Sequence, residues 1–464
     1  MTGVNGAVDW SGEWSAVALA RRVNAGECAV DAGVRRAHQA IVAANPALNA
    51  IVDYDPAVAV PQVDSLARRL KAGERPLLAG VPVTIKDHVH VAGWRCTEGS
   101  LLFRDAVATD DEPIVTLLRQ AGAILIGRTN MSEFGCKGVT TNKIYGPTRH
   151  PLNHDLTTGG SSGGAAAAVA AGLAPLALAS DGGGSVRRPA AHAGVVGYKP
   201  STGLLPDPRT SSQTAVFGVM AGSVPDAAAL VSVLAVRDRR DPVSVGFAMD
   251  EGEGSDRPRL AWSPRLGLDV PVDDDVAQAL EAAVEKLRAA GLAIERMDPV
   301  WPEGAGEDAV MPIQHAELAF AFGADHRRDP SLFDPDIAVQ IESGLQLDGV
   351  AICRAQAMSM AVARAAAAFF AAGPDLLLAP TTPCVAWPHA RLGPASIGGR
   401  AVAHRGHAVF TPLFNHAFCP AISIPAGKGR DGLPVGLQIV GPRFADRRVL
   451  HFAARAEAIL AGAP

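Results

Sequence analysis

Short apolar runs alternate with amphipathic segments along most of this chain. From about residue 11 to residue 44 the apolar positions recur at helical spacing, and Gly26 interrupts them, which predicts two packed helices. Asn45 and Pro46 are expected to end the second helix, and the following ALNAIVDY is typical of a strand that returns to the core. The N-terminal part is therefore predicted to be mainly helical.

The same alternation continues over the rest of the chain. Strands are predicted at 81–85, 123–127, 176–180 and 376–379 and in CPAISIPAG and GLPVGLQIVGP, and helices at Pro113–Gln120, 164–172, 273–290 and 445–460. Residues 236–259 are polar and are predicted to form an exposed excursion, and between about 300 and 410 the periodicity is hard to follow. Helices that alternate with largely internal strands favour an α/β fold.

Composition narrows the function class only by exclusion. The 464 residues could form two or three domains, and a net charge of -5 with 19% charged residues does not favour nucleic acid or an anionic membrane as a partner. The N-terminal residues lack the basic and apolar regions of a secretion signal, and no apolar run is long enough to span a membrane. The six cysteines form no CxxC pair and the histidines no HExxH motif, which predicts reduced thiols, a cytoplasmic location and no metal site.

Two serine loops framed by glycine stand out between residues 157 and 189. GGSSGG contains Ser161 and DGGGS contains Ser185, and an Ala-rich segment long enough for one buried helix and one strand separates them. Glycine permits positive φ and a close approach of the backbone, which suits a serine nucleophile surrounded by N–H donors. A flexible linker would not enclose such an apolar segment, and a phosphate loop of the Walker type would need a Gly-Lys-Ser/Thr sequence that is absent here.

A lysine follows a buried strand in GVPVTIKD. Lys86 is either a surface cap on the sheet or a buried amine, and burial would lower its pKa enough for it to act as a base near pH 7. Lys86, the segment 130–136 and the segment 181–185 each follow a predicted strand. Because ligand sites form at the carboxyl ends of strands in α/β sheets, the sequence predicts that these three strand ends converge.

With Lys86, Ser161 and Ser185 in place, the chain resembles the amidase signature family over nearly its whole length. The motifs that carry this resemblance are GVPVTIKD, GRTNMSEFG, GGSSGGAAAAVAAG, SDGGGSVRRPA, GYKPS and GLPVGLQIVG, in the family's order. The resemblance implies a single α/β domain with a central, mixed and twisted sheet covered by helices on both faces. It further implies an N-terminal helical segment at 1–75 packed on a core at 76–464, with the signature region at 77–205 and a variable substrate-pocket region at about 300–410.

The resemblance also assigns roles to individual residues. Ser185 would be the nucleophile, Ser161 the bridging serine held by a cis peptide bond next to Gly160, and Lys86 the base. Gly182, Gly183 and Gly184 would provide N–H donors to an oxyanion, with Gly135 as a further oxyanion- or substrate-binding residue. Asp181 and Arg187 would brace the loop without touching substrate. The resemblance implies no metal and no cofactor.

Several positions depart from the family's pattern and bear on specificity. Gly182 would give a roomier loop, while Thr158 and His88 replace residues that are more usual in the family. Arg188 stands where one member of the family holds a substrate carboxylate, but a surface or interdomain arginine is the commoner case.

The expected function is hydrolysis of a carboxylic amide through a serine acyl-enzyme, which releases ammonia or an amine. Carbamate or ester hydrolysis by the same triad, and a glutamine-amidase subunit of a tRNA-dependent amidotransferase, are the alternatives. The expected partner is a small amide or carbamate, and a homodimer is possible on this view.

Overall fold

The computed structural model describes residue 12 and residues 14–210, 212–245 and 258–462. Within these ranges the chain forms thirteen α-helices and fifteen strands. The helices are α1 (Ala16–Asn24), α2 (Ala32–Leu48), α3 (Val60–Lys71), α4 (Pro113–Gln120), α5 (Gly163–Ala170), α6 (Arg187–Ala193), α7 (Val224–Leu234), α8 (Asp274–Ala289), α9 (Glu307–Arg328), α10 (Pro335–Leu345), α11 (Gly349–Ala371), α12 (Pro412–His416) and α13 (Asp446–Leu460). The strands are β1 (Ile51–Val52), β2 (Pro82–Lys86), β3 (Ile124–Thr129), β4 (Arg149–His150), β5 (Asn153–Thr157), β6 (Leu176–Asp181), β7 (Val196–Lys199), β8 (Val216–Ala221), β9 (Leu260–Trp262), β10 (Ile294–Arg296), β11 (Leu376–Pro380), β12 (Ser396–Ile397), β13 (Arg400–Ala401), β14 (Ala421–Lys428) and β15 (Pro434–Val440).

Eleven of these strands form one central sheet. Their order is β1-β3-β2-β6-β8-β7-β14-β15-β11-β9-β10. Strand β2 runs parallel to both β3 and β6, whereas β8, β7, β14 and β15 pair antiparallel with their neighbours. The prediction of an α/β fold around a mixed central sheet is therefore confirmed.

Most of the predicted elements are present with small shifts at their ends, but the end of α2 was predicted wrongly. The helix continues through Asn45 and Pro46 to Leu48, and Asn49 ends it in the left-handed conformation. The missing N–H of proline removes one hydrogen bond from the side of the helix on which Val42 is exposed to solvent. The Asn45 side-chain oxygen accepts hydrogen bonds from the N–H groups of Ala50 and Ile51, and the strand that follows is two residues long.

The segment between about 300 and 410 contains three long helices that the sequence pattern did not reveal. Helix α9 buries only four residues, Val310, Leu318, Gly323 and His326, and packs against α10 and α11. A helix that contacts other helices on one side and a cavity on another has no single apolar face. That explains why the periodicity was difficult to follow.

Helix α5 fills the narrow space behind the two serine loops, GGSSGG and DGGGS. Its seven residues from Gly163 to Val169 are all buried, and a Cβ on Gly164 would lie 2.5 Å from the Asn130 backbone. Small side chains are therefore a requirement of packing, as the Ala-rich run predicted. Among the described residues no helix combines the length and apolarity needed to cross a bilayer. Of the predicted excursion at 236–259, the stretch 246–257 lies outside the described residues.

Candidate active site

The carboxyl ends of strands β2, β3 and β6 lie side by side at one edge of the sheet. Strand β2 lies between β3 and β6 and is parallel to both, so Lys86, the segment after Thr129 and the segment after Asp181 meet there. The convergence predicted from the sequence is confirmed. It follows directly from parallel pairing, which places the carboxyl ends of neighbouring strands side by side.

Lys86 is a buried amine and not a surface cap. It is 1% exposed, and its Nζ donates to Ser161 Oγ at 2.8 Å and to Ser180 Oγ at 3.0 Å. Burial lowers its pKa from 10.5 to about 7, although the negative charge of Asp181 opposes the shift. Ser180 was not among the predicted site residues. Its position at the end of β6, next to the end of β2, is the signal that could have identified it.

Ser161 is fixed by a tightly packed loop. The peptide bond between Gly160 and Ser161 is cis, in agreement with what the family resemblance implied. A Cβ on Gly160 would lie 2.7 Å from the Lys137 carbonyl oxygen, so only glycine fits there. Gly135, whose φ is +75°, lies against the Ser161 side chain. The Thr140 hydroxyl donates to the Gly159 carbonyl and accepts the Gly163 N–H, which ties both ends of the loop together.

Ser185 follows the second glycine loop and is 6% exposed. Its hydroxyl has no hydrogen-bond partner among the described residues, nor do the N–H groups of Gly182 and Gly183 and its own N–H. For Gly184 the geometry differs from the expectation, because its N–H already donates to Asp181 Oδ1 at 2.7 Å. A donor that is occupied in this way is not free for an oxyanion. The N–H groups available at this loop are therefore those of residues 182, 183 and 185.

A buried ion pair holds the second loop in place. Arg187 donates from Nη2 to Asp181 Oδ1 at 2.8 Å and from Nε to Oδ2 at 3.0 Å, and both side chains are fully buried. Burial alone would raise the pKa of Asp181, but Arg187 and the other donors around it hold that pKa well below its usual range. Arg187 also donates to Asn415 Oδ1 and Gln438 Oε1, two partners that the sequence did not reveal. The pair thus connects the loop to α12 and β15.

Arg188 is buried, so the surface position, one of the two common cases expected from the sequence, is wrong. It is 4% exposed, and its Nε and Nη1 have no hydrogen-bond partner among the described residues. Burial lowers its pKa to about 10, and Glu307 opposes this shift. Its Nε packs 3.0 Å from the position that a Cβ on Gly184 would take. Arg188 therefore lies behind the glycine loop.

The two serines open into one small cavity of about 210 Å³. Ser161, Ser180 and Ser185 line it together with Gly182 and Gly183. The opposite wall comes from one face of α9, which contributes Glu307, Val310, Met311, Ile313, Gln314 and Glu317. The sequence had predicted that the region from 300 to 410 would contribute to a pocket, but not which residues. A Cβ on Gly182 would make only ordinary contact with Ala215, so glycine leaves extra room at this position.

Cysteine and metal chemistry have little support at this site. Cys136 lines the cavity, but burial raises the pKa of its thiol to about 12, so little reactive thiolate would form. Within the described ranges, no three His, Cys, Asp or Glu side chains converge in a way that could hold a metal ion.

Comparison with known proteins gives a consistent result. A model of the Amidase family matches residues 32–450. The acylamidase of Rhodococcus erythropolis is 34% identical over 434 residues, which cover 91% of this chain and 90% of that relative. A glutamyl-tRNA(Gln) amidotransferase subunit from Symbiobacterium thermophilum is 31% identical over 472 residues, covering 95% of each protein. The crystal structure of a bacterial aryl acylamidase of the amidase signature family superposes with a TM-score of 0.87 at 29% identity, covering 97% of this chain and 99% of that one.

Proposed function

The chain belongs to the amidase family and hydrolyses carboxylic amides, and we propose that it does so through an acyl-enzyme on Ser185 with Ser161 and Lys86 as its proton relay. The observation that carries this proposal is the 2.8 Å contact between Lys86 Nζ and Ser161 Oγ beneath the cavity that Ser185 lines. A serine hydroxyl becomes a useful nucleophile only when a base accepts its proton. Lys86 can serve because burial brings its pKa to about 7.

The relay balances in both halves of the reaction. As Ser185 Oγ bonds to the substrate carbonyl carbon, its proton passes to Ser161 and the Ser161 proton passes to the neutral amine of Lys86. The proton then returns by the same route to the leaving nitrogen as the C–N bond breaks. Water repeats the sequence on the acyl-enzyme and releases the acid. Ser180 supports Lys86 from its other side, since an amine that accepts from Ser161 still has an N–H to donate to Ser180.

The N–H groups of Gly182, Gly183 and Ser185 are proposed as the donors to the tetrahedral oxyanion. They have no other acceptor among the described residues, whereas Gly184 contributes shape and not a donor, because its N–H is used by Asp181. Loss of one donor of this kind typically costs about 3–4 kcal/mol in the barrier. Asp181 and Arg187 keep these donors in place without contacting substrate.

The proposed substrates are linear amides with an aryl or alkyl arm. The cavity at Ser185 is small, but it shares Cys136, Met311 and Arg405 with a neighbouring cavity of about 710 Å³. Apolar side chains such as Pro312, Val339 and Leu347 line this second cavity. Carbamates and esters pass through the same tetrahedral intermediate and remain alternatives.

A cytoplasmic location is also proposed, because all six cysteines have free thiols.

A glutamine-amidase subunit of an amidotransferase is the second candidate, since relatives of that kind are about as similar to this chain as the acylamidase is. It predicts a stable complex with partner proteins and turnover of free glutamine. Robust turnover of an aryl amide by the purified chain alone, with none of glutamine, would exclude it.

One experiment tests the central proposal. The purified chain is assayed on aliphatic amides, anilides and an aryl carbamate from pH 5 to 9, beside Ser185→Ala and the control Ser232→Ala, an exposed serine on α7. We expect kcat/KM to rise with pH along a limb of apparent pKa about 7, and Ser185→Ala to lose at least about 1000-fold. A fluorophosphonate should label the wild type at Ser185. Retained hydrolysis in Ser185→Ala would refute the assignment.

A further inference from the structure

Glu317 is a carboxylic acid in the catalytic cavity that the proposed mechanism does not use. It lies on α9 in the face that also places Val310, Ile313 and Gln314 on the cavity wall. Its side chain is half-buried, and it makes no ion pair with any described residue. Burial raises its pKa to about 7, and a hydrogen bond from Ser212 opposes this shift. An acid in such a place is destabilised as a carboxylate until it gains either a proton or a cation.

The other charged groups of this cavity are already satisfied or neutral. Glu307 is paired with Arg405, which donates to it from both Nε and Nη2. Burial lowers the pKa of His416 to about 4, and its Nδ1 lies 2.8 Å from Ser359 Oγ, so its imidazole is neutral at pH 7. Among the described side chains that line this cavity, Glu317 is therefore the one carboxylate without a cationic partner, and the unpaired guanidinium of Arg188 lies behind the glycine loop and outside the cavity lining.

We propose that Glu317 selects substrates that carry a primary ammonium group within reach of the acyl centre, so that the preferred amides are cationic. The inference rests on the proposed function, because it assumes that the cavity at Ser185 holds the substrate. A primary ammonium supplies up to three donors and the charge that the buried carboxylate lacks. Gln314 and Ser212 line the same cavity and can accept further N–H groups.

The preference should depend on pH in a way that Lys86 cannot imitate. Glu317 becomes a carboxylate as pH rises through about 7, whereas a primary alkylamine stays protonated to about pH 10. Lys86 also titrates near pH 7, but its protonation affects cationic and neutral substrates alike. Cys136 has a pKa of about 12 and His416 a pKa of about 4, so neither is expected to change its charge between pH 6 and 8. The ratio of kcat/KM for the two substrate types therefore isolates Glu317.

The test uses matched pairs of chromogenic 4-nitroanilides. ω-Amino acyl anilides with four to six carbons, whose ammonium groups stay protonated at pH 8, are compared with isosteres in which a methyl group replaces the ammonium, at pH 6, 7 and 8. At the best chain length we expect the wild type to prefer the cation by about ten- to hundredfold at pH 8 and by less at pH 6. Glu317→Gln should abolish the preference and its pH dependence while the neutral anilides are still cleaved. Glu342→Gln on the exposed side of α10 is the control and should leave the ratio unchanged.

Two outcomes separate this inference from the function on which it rests. If the wild type cleaves neutral anilides and Glu317→Gln leaves every ratio unchanged, the inference is wrong and the function stands. If Ser185→Ala is as active as the wild type, the proposed acyl-enzyme on Ser185 fails, and with it the premise that this cavity holds the substrate. Inhibition provides a second readout. n-Alkylammonium ions should inhibit the wild type more strongly at pH 8 than at pH 6, and this pH dependence should be weaker in Glu317→Gln, because Lys86 titrates in both proteins. Equal inhibition by the corresponding alcohols would overturn the proposal.

Discussion

Replacement of Lys86 by methionine should stabilise the fold at low pH and destabilise it at high pH. In the unfolded chain the amine titrates near 10.5, whereas burial lowers its pKa to about 7 in the folded protein. The folded state therefore binds fewer protons between these two values, and its stability rises with pH across that window. Burial of this amine therefore lowers the free energy of unfolding by about 5 kcal/mol at pH 6 and by about 1 kcal/mol at pH 10.

The substitution also removes the hydrogen bonds to Ser161 and Ser180, at a cost of about 1 kcal/mol each that does not depend on pH. We therefore expect the free energy of unfolding of Lys86→Met to exceed that of the wild type by about 3 kcal/mol at pH 6 and to fall about 1 kcal/mol below it at pH 10. Urea unfolding followed by tryptophan fluorescence at pH 6, 8 and 10 measures the free energy of unfolding of the two proteins. Titrating groups that do not interact with Lys86 are common to the two proteins and cancel in the difference.

The pH dependence of the stability difference between Lys86→Met and the wild type shows whether Lys86 is a desolvated amine. Lys71 is an exposed lysine at the end of α3, and Lys71→Met serves as the control, for which the difference should not vary with pH. If the difference between Lys86→Met and the wild type varied by less than about 1 kcal/mol from pH 6 to pH 10, Lys86 would not be a desolvated amine. The proposed relay would then lose its base.

Two further substitutions test the second glycine loop. Gly184→Ala should lower kcat by about a hundredfold, because the new Cβ would lie 2.1 Å from Thr411 Oγ1 and displace the N–H donors. Gly73→Ala is the control, since Gly73 also has a positive φ and a Cβ there would have no atom within 4 Å. An equal loss of kcat in Gly73→Ala would remove the steric explanation. Arg187→Met should lower the free energy of unfolding by about 3–5 kcal/mol, because it leaves the Asp181 carboxylate buried without its cation. Urea unfolding measures this loss of stability, and a loss below about 1 kcal/mol would contradict the prediction.

Much of the candidate site could be predicted because its parts lie in short local motifs. Lys86 ends an apolar strand, and Ser161 and Ser185 sit in glycine-rich loops whose composition already shows that the backbone approaches other groups closely. The positions that contradicted the sequence analysis depend on their surroundings. Pro46 remains inside a helix because the adjacent face is solvated, and Arg188 is buried although its residue type is usually exposed.

The sequence by itself determined seven of the eleven strands of the central sheet, the glycine loops and the candidate triad of Lys86, Ser161 and Ser185, since these depend on local periodicity and residue type. Only the tertiary structure decided the electrostatics of the site. The pKa of Lys86 depends on complete burial, and the occupied N–H of Gly184 depends on where Asp181 points. Glu317 belongs to the cavity because α9 folds back over a sheet edge more than one hundred residues away in sequence. Desolvation and charge balance are sums over distant neighbours, and a sequence motif contains only near ones.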